Sequence, residues 1–261
     1  MAPPQQHKNS RATARWSDDL RADAYDSQGN RVFYQSALAA LLEGAPTLAG
    51  RGVDLGCGTG FATEVLRAKY PDVTWQGIDV ADAMLALARR KPGLASVSFC
   101  QASAEALPLA DGSMDVVVAN FSWHWFGQDA GREARRVLRP GGWLLATVPL
   151  RLFSAASGNR ALARALLADR RQFAHTSSQG LRFEATRSLL PGPMRVARHE
   201  LRIGQETFAD GREMLDVLGS RGALSAIFGD HPPSAIDAGS PLDLPFEFTW
   251  PFALVHLQVV G

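Results

Sequence analysis

The sequence predicts an α/β fold in which a mostly parallel sheet is covered by helices on both faces. Short apolar segments alternate with helical segments between about residues 51 and 148, and such alternation is typical of these sheets. One apolar segment, residues 114–119, is almost continuously apolar, as fully buried parallel strands are. A glycine-rich stretch, residues 53–60, also joins the first strand to the next helix. Together these observations predict a doubly wound sheet with a ligand-binding turn at its carboxyl edge.

The N-terminal segment is predicted to be a polar tail followed by two helices. Residues 1–14 lack an apolar core and are expected to be disordered rather than to form a signal peptide. Residues 16–30 have helical spacing, and Gln28-Gly29-Asn30 is predicted to end that helix. A second helix is then expected over residues 32–42.

The alternating part has clear starts and stops. Asp82 is predicted to cap a helix that buries Met84, and Arg139-Pro140-Gly141-Gly142 is predicted to stop a later helix. An aromatic-rich segment, residues 120–128, follows the fourth strand. The predicted strands are residues 53–55 (the end of the first), 73–79, 96–101, 114–119 and 143–148, and the other predicted helices are residues 61–69 and about 130–138.

The regular alternation stops after residue 148, where a lid inserted between late strands is expected rather than a separate domain. Ser157 can cap a helix running to about residue 173. A closing strand over residues 246–260 is predicted to be antiparallel to its neighbour. The elements expected between them are a loop (174–180), a strand (194–203), a helix (208–218) and a loop (229–240).

We therefore predict a single domain over residues 15–261. Its expected parts are an N-terminal helical lid (15–45), a core that binds the main ligand (46–150), a lid insertion with a late strand (151–245) and a closing strand (246–261).

Composition argues against several functional classes. The 261 residues carry a formal net charge of +1, so no global field favours nucleic acid or an anionic membrane. No apolar run is long enough to cross a bilayer. Two cysteines, Cys57 and Cys100, argue against a disulfide framework and favour a reducing cytoplasm. The histidines outside the aromatic segment are too scattered to predict a metal site.

The glycine-rich stretch predicts a cradle for a nucleotide-like ligand. Glycines at positions 56, 58 and 60 let the backbone turn sharply and approach a ligand closely. The spacing differs from the dinucleotide fingerprint, and the stretch lacks the Gly-Lys-Ser/Thr ending of a phosphate loop. Asp79, at the end of the second strand, can accept hydrogen bonds from both hydroxyls of a ribose. Nicotinamide enzymes and methyl-donor enzymes share such an acid, so these features alone leave both classes open.

Five motifs in order make residues 51–149 resemble the class I S-adenosylmethionine-dependent methyltransferases. The motifs are VDLGCGTG at 53–60, GIDV at 77–80, AEALP at 104–108, MDVVV at 114–118 and LRPGG at 138–142. Each piece has an ordinary structural explanation by itself, but the ordered set favours the methyltransferases over the nicotinamide enzymes. The resemblance implies a Rossmann-like, seven-stranded, mostly parallel sheet with N-terminal helices and a C-terminal lid insertion.

The resemblance also implies which residues bind S-adenosylmethionine, which the reaction would convert to S-adenosylhomocysteine. Asp79 is expected to bind the ribose diol. Ser103 stands where the family often has Asp, and serine would be the weaker acceptor for the adenine amino group. The other residues expected to bind this cofactor are Asp54, Gly56, Cys57, Gly58, Val80, Met84, Ala104, Asn120 and Phe121.

Within that class the chain is most similar to the malonyl-acyl-carrier-protein O-methyltransferases of biotin synthesis and their relatives. The cues are Tyr25-Asp26, Asn120 followed by an aromatic loop, Met214-Leu215 and the closing strand. The loop FSWHWF at 121–126 is bulkier than that group's, and its His124 stands where Gln is often found. These departures leave room for a relative that acts on a different acid or hydroxyl.

The acceptor is expected to contact Tyr25, Trp123, Trp125 and Arg151, with Arg21 a weaker candidate for pairing with a carboxylate. His124 is the candidate general base, because an unperturbed imidazole titrates near neutrality. A packed loop histidine is the alternative interpretation of this residue.

The predicted reaction is in-line methylation of a carboxylate on a small or carrier-protein-bound acid, and a carboxylate needs no base. Alternatives are a natural-product methyltransferase acting on hydroxyls or amines, and a protein that binds the donor without methylating, as a pericyclase-like enzyme or an inactive interaction partner. No nucleic acid, membrane or metal is expected, and the protein is expected to be a monomer or homodimer in the cytoplasm.

Overall fold

The computed structural model describes residues 16, 19–127, 129–150, 156–168, 194–224 and 245–260. By their contacts the residues form two compact units. The first comprises residues 1–148, 184–200 and 253–261, and the second comprises residues 149–183 and 201–252. The prediction of a single domain remains a prediction.

A seven-stranded sheet organises the chain, with the strand order β3-β2-β1-β4-β5-β7-β6. Strands β1 to β5 pair in parallel, so the predicted doubly wound sheet is confirmed. The strands are β1 (Gly50–Leu55), β2 (Val73–Asp79), β3 (Ser98–Gln101), β4 (Met114–Asn120), β5 (Leu138–Pro149), β6 (Met194–Phe208) and β7 (Phe246–Val259).

Strand β7 runs antiparallel to its neighbours, as predicted. Gln258 donates to the carbonyl of Gly141 near the start of β5, whereas Leu150, just after β5, donates its N–H to the carbonyl of Pro251. Residue numbers on the two strands therefore change in opposite directions. The sheet is consequently mixed.

Two helices precede the sheet, α1 (Asp19–Tyr25) and α2 (Gln28–Leu42). The prediction that Gln28-Gly29-Asn30 breaks the first helix was wrong, because these residues form the first turn of α2. Ser27 adopts an extended backbone and its side chain accepts a hydrogen bond from the N–H of Asn30. The break therefore lies at Asp26–Ser27, where a serine can cap the new helix.

The carboxyl end of α2 is fixed by two side chains of the same unit. His256 Nε2 lies 2.7 Å from the carbonyl of Leu41, and Arg198 donates to the carbonyls of Ala40 and Glu43. These contacts satisfy carbonyls that have no partner within the helix.

Helices α3 (Phe61–Lys69) and α4 (Asp82–Arg90) follow β1 and β2. The predicted range of α3 is confirmed. Asp82 does not cap α4: the cap position is Ala81, which has no side-chain hydrogen bond. Instead, Asp79 accepts from the N–H of Ala81 at 2.9 Å, so a residue of the preceding strand supports this turn.

Helix α5 (Asp129–Val137) ends just before residues 139–142, where a helix stop was predicted. Those residues are already part of β5. The predicted helix stop is thus confirmed, and the strand predicted over residues 143–148 begins earlier, at Leu138. The pairing of β4 with β5 shifts register between Met114 and Val116, and Gly141 has a φ of 77°. A bulge thus lets a helix-stop sequence continue as extended chain.

The described part of the second unit contains α6 (Ser157–Ala168), α7 (Gly211–Ser220) and parts of β6 and β7. Asp210 caps α7 by accepting from the N–H of Glu213, and Glu213 accepts in return from the N–H of Ala209, the residue before the cap. The expected loops at 174–180 and 229–240 and the end of the helix predicted to reach residue 173 lie outside the described residues.

Candidate functional site

The candidate site lies where the carboxyl ends of β1, β2 and β4 meet, within the first unit. Leu55 of β1 pairs with Ile78 of β2, and the carbonyl of Ile78 accepts from the N–H groups of Gly56 and Cys57 at 2.7 and 3.1 Å. Strand pairing therefore continues into the glycine loop. This fixes where the loop leaves the sheet.

Gly56 and Gly58 are two of the three loop glycines with positive φ, and their surroundings differ. Gly56 has a φ of 70°, and a Cβ there would lie 2.5 Å from the Cβ of Ser122. Gly58 has a φ of 53°, but a Cβ there would meet only the Tyr25 ring, at 3.7 Å. Gly56 thus allows β1 and the β4 loop to approach each other, whereas Gly58 leaves backbone surface beneath an aromatic ring. That surface is suited to a ligand that approaches the backbone closely.

Asp79 is oriented by backbone groups on both sides. One carboxylate oxygen accepts from the N–H of Gly58 at 2.8 Å and the other from Ala81 at 2.9 Å. Burial raises the pKa of this carboxyl, and the N–H groups of Ala81, Gly58 and Val80 oppose the rise. Each oxygen keeps acceptor capacity for a further donor. This geometry suits a ligand with two neighbouring hydroxyls.

Asp54 has a different environment from Asp79. It is only 1% exposed, and it accepts from Thr63 Oγ1 of α3 at 2.6 Å. Burial raises its pKa to about 7, with Asp79 adding to the rise and Thr63 opposing it. Its carboxyl therefore links β1 to α3, and its contact with a ligand remains a prediction.

Three further residues expected to bind the donor, Cys57 near its methionine and ribose and Val80 and Met84 beside its adenine, differ in exposure. Cys57 is buried, and burial followed by the charge of Asp79 raises the pKa of its thiol well above the usual range. Met84 is buried and forms a cluster with Ala22 of α1 and Ala81. Val80 is half-buried. Helix α1 thus covers one side of the predicted adenine position.

Ser103 is already engaged in a local network. Its hydroxyl donates to Glu105 Oε2 at 2.7 Å, and its oxygen accepts from the N–H of Glu105. The other carboxylate oxygen of Glu105 accepts from the N–H of Gly127. Ala104, between them, is buried. Position 103 therefore lacks the Asp that is frequent in the family, but Glu105 supplies a carboxylate two residues later. Glu105 was not among the predicted site residues.

The end of β4 is held in an unusual backbone conformation. Phe121 has a φ of 52°, the one positive value among the described non-glycine residues. Its N–H donates to Thr147 Oγ1 at 2.7 Å, and Thr147 donates in turn to Asn120 Oδ1 at 2.8 Å. Asn120 Nδ2 donates to the carbonyl of Tyr34. Strained residues of this kind often lie at functional sites. Thr147 was not predicted as a site residue, because nothing in the sequence distinguishes it from the other residues of a buried strand.

An aromatic cluster covers this edge of the sheet. Tyr25 lies 5.2 Å from Tyr34 and 5.7 Å from Phe61, centroid to centroid. Burial, followed by interaction with Tyr34, raises the Tyr25 pKa well above its usual value. Trp16 lies 5.5 Å from Tyr25 and 6.1 Å from Trp125. The structure therefore places the predicted acceptor residues Tyr25 and Trp125 against the same ring, that of Trp16.

The remaining predicted site residues lie in different settings. Trp123 is only 2% exposed and packs against Phe126, so it belongs to the core side of the loop. Burial lowers the pKa of His124 to about 3, and its shielded Nδ1 has no hydrogen-bond partner within the described part of the chain. Arg21 is exposed. Arg151 lies outside the described residues.

Residues 53–146 match the sequence profile of a family described as “Methyltransferase domain”. The matched range begins just before the glycine loop and ends within β5. It therefore includes every residue predicted to bind the donor.

Two curated relatives illustrate the similarity. A malonyl-[acyl-carrier protein] O-methyltransferase of Methylococcus capsulatus is 39% identical over 113 residues, which are 42% of this chain and 41% of that protein. A trans-aconitate 2-methyltransferase of Methylobacterium nodulans is 40% identical over 114 residues, 42% of this chain and 43% of that protein. The chain thus spans less than half the length of either relative.

A solved structure extends the fold similarity over almost the whole chain. The phosphoethanolamine N-methyltransferase 2 of Haemonchus contortus, in complex with S-adenosyl-L-methionine, aligns with 97% of this chain and 60% of its own at a TM-score of 0.59. The sequence identity is 15%, so this likeness concerns the fold alone.

The described residues include no helix long and apolar enough to cross a membrane. They also include no group of three or more His, Cys, Asp or Glu side chains able to hold a metal ion.

Proposed function

Because the chain carries a class I S-adenosylmethionine-dependent methyltransferase domain, we propose that it forms methyl esters on a carboxylic acid. The acid is either a small molecule or an acyl group carried on a carrier protein. The names of the two relatives described above, malonyl-carrier-protein and trans-aconitate methyltransferases, support acids as the acceptor class. The two free cysteines, Cys57 and Cys100, are consistent with a reaction in a reducing cytoplasm.

The observation that carries the proposal is the setting of His124 among the aromatic rings of the loop, where its shielded Nδ1 has no carboxylate or other hydrogen-bond partner within the described residues. Its pKa of about 3 keeps the imidazole neutral near pH 7 and makes it a weak base. A hydroxyl acceptor would need its proton removed, whereas a carboxylate is already ionised at that pH. A loop that offers aromatic rings and a weakly basic histidine therefore suits an acceptor that needs no deprotonation.

In this proposal the chain mainly binds and orients. Asp79 accepts from the ribose hydroxyls, and the glycine loop supplies backbone surface at Gly58. Asn120 and Phe121 position the amino-acid end of the donor, and Tyr25 and Trp125 exclude water. The donor supplies a methyl group on a positively charged sulfur. Alignment and exclusion of water then account for most of the catalysis required of the protein.

Acids, phenols, alcohols and amines incubated with purified protein and methyl-labelled S-adenosylmethionine would test the proposal. We expect label on acids only, and we expect mild base to release it as methanol, as from an ester. Malonyl-carrier protein and the free dicarboxylic acids are compared in parallel to show whether the acceptor is a free acid or one bound to a carrier protein. Label found only on hydroxyls or amines would overturn the proposal.

The role of His124 gives a second readout of the same proposal. For a carboxylate acceptor, His124→Gln should change kcat by less than about threefold, and the rate should show no titration between pH 6 and 8. Asp79→Asn is the comparison variant, for which donor affinity should fall about tenfold or more. A loss of about 100-fold in kcat for His124→Gln would instead indicate general-base catalysis.

A further inference from the structure

Helix α1 and its connection to α2 lie over the glycine loop. The ring of Tyr25, the last residue of α1, covers Gly58 and lies within van der Waals contact of a Cβ placed there. Asp26 and Ser27 separate the two helices, since Ser27 is the cap of α2. Movement at Asp26–Ser27 would therefore lift Tyr25 and uncover the Gly58 surface for a ligand.

Lys91 connects this hinge to the glycine loop. Its ammonium lies 2.6 Å from Asp26 Oδ1 and 3.4 Å from Thr59 Oγ1. It also lies 4.3 Å from the centre of the Phe61 ring, on which Tyr25 stacks. One cation thus contacts the hinge, the glycine loop and the first residue of α3.

Tyr25 and Ala22 also hold α1 in place. Tyr25 packs against Tyr34 and Phe61 in the aromatic cluster, and Ala22, which is buried, packs against Ala81 and Met84. The helix as described has seven residues, and a helix this short depends on tertiary contacts. The ion pair just beyond its carboxyl end adds to these contacts, so its loss should loosen the helix.

The ion pair is more enclosed than the surface pairs of the chain. The side chains of Lys91 and Asp26 are 13% and 24% exposed, whereas those of Arg89 and Asp82 on α4 are 45% and 67% exposed. Exposed pairs contribute little, but removing one partner of an enclosed pair leaves an unpaired charge. The Arg89–Asp82 pair is therefore a natural control on the neighbouring helix.

We propose that Lys91 is a positioning residue that latches α1 over the glycine loop and sets how long donor and product stay bound. This rests on the proposed function for the identity of the ligand, but the latch itself is a property of the free protein. Lys91 acts through Asp26 and Thr59 rather than on the reacting atoms. Its loss should speed product release more than it changes donor alignment.

The test measures release of S-adenosylhomocysteine by stopped-flow tryptophan fluorescence, to which Trp16 and Trp125 of the cluster contribute. We expect Lys91→Met and Asp26→Asn each to raise the dissociation rate about tenfold. The double variant should release no faster than either single variant, because the two side chains act as one pair. Lys91→Arg should restore most of the slow release, and Asp82→Asn should leave it within twofold of the wild type.

Hydrogen exchange of the ligand-free protein separates the latch from the proposed function. Amides of residues 19–27 should exchange faster in Lys91→Met and Asp26→Asn than in Asp82→Asn, whether or not the protein binds the donor. Unchanged exchange and unchanged release in both variants would overturn the latch. Faster exchange in these two variants would support the latch even if the wild-type protein binds no S-adenosylhomocysteine. That absence of binding would by itself overturn the methyltransferase proposal.

Discussion

At the scale of single residues, the site depends on where the loop has room for a side chain. Gly56 and Gly58 share a left-handed backbone, yet a Cβ at Gly56 would overlap Ser122 and one at Gly58 would reach only the edge of Tyr25. The first glycine therefore serves packing between strands, and the second is the one expected to face the ligand. Both positions are glycine in the sequence, and only the neighbouring side chains in the folded structure distinguish their roles.

This difference predicts two distinct phenotypes. Gly56→Ala combines left-handed strain with overlap at Ser122, so the free energy of unfolding should fall by about 3 kcal/mol or more. Gly58→Ala should lose only about 1 kcal/mol, which is the cost of the left-handed conformation, while donor affinity falls at least tenfold.

Urea unfolding and titration calorimetry with S-adenosylhomocysteine measure the two effects. Gly29→Ala, where nothing lies within 4 Å of the added Cβ, is the control. Equal destabilisation by the two loop variants would contradict this assignment of roles.

At the scale of elements, the junction between β4 and the aromatic loop depends on one hydroxyl of β5. Thr147 is completely buried, and it serves both the N–H of Phe121 and the side-chain oxygen of Asn120. Asn120 then reaches the carbonyl of Tyr34 in α2. Contacts from β4, β5 and α2 thus determine the backbone conformation of Phe121, which is expected to lie near the reactive end of the donor.

Thr147→Val keeps the shape of the side chain but removes the hydroxyl. It leaves a buried N–H without an acceptor, so the free energy of unfolding should fall by about 2–3 kcal/mol. Since Phe121 is then free to leave its strained conformation, kcat should fall about tenfold or more.

Thr147→Ser, which keeps the hydroxyl and removes a methyl group, is the matched control and should cost about 1 kcal/mol. Steady-state kinetics and thermal unfolding distinguish the two variants. An active, stable Thr147→Val protein would show that the hydroxyl is dispensable.

At the scale of the whole molecule, a buried acid makes stability depend on pH. The pKa of Asp54 is about 7 in the folded protein, whereas that of an aspartate side chain exposed to water is 3.8. Between these values the folded state holds the proton more often than the unfolded state. The free energy of unfolding contributed by Asp54 is therefore highest below pH 3.8 and declines as pH rises through this window to about 7.

Asp54→Asn removes this decline while keeping an oxygen that can accept from Thr63. Relative to the wild type, the variant should gain roughly 2–4 kcal/mol of stability between pH 4 and pH 8. Urea unfolding at intervals of one pH unit measures the gain. Asp82→Asn, which removes an exposed carboxylate, should show no such trend. A constant difference between Asp54→Asn and wild type across the range would contradict the buried, protonated acid.

Much of the first unit follows from the sequence because its signals are local. The apolar segments and the ranges of α3 and β2 were predicted well, because periodicity and turn residues determine where such elements begin and end. Predictions failed where tertiary contacts decide between local alternatives. Gln28-Gly29-Asn30 resembles a helix break but begins a helix capped by Ser27. Likewise, the strand predicted over residues 143–148 begins earlier, because residues 139–142, which stop the helix as predicted, are already part of β5.

The sequence by itself determined the glycine turn, the acid at the end of β2 and the order of motifs, because each depends on residue type and spacing along the chain. The tertiary structure decided which glycine packs against the loop after β4 and which lies beneath the Tyr25 ring. It also decided that Thr147 holds Phe121, that Lys91 reaches Asp26, and that His124 lies in an environment that lowers its pKa. These properties depend on side chains distant in sequence that folding brings within hydrogen-bond distance, and on loss of solvent, which no local pattern records.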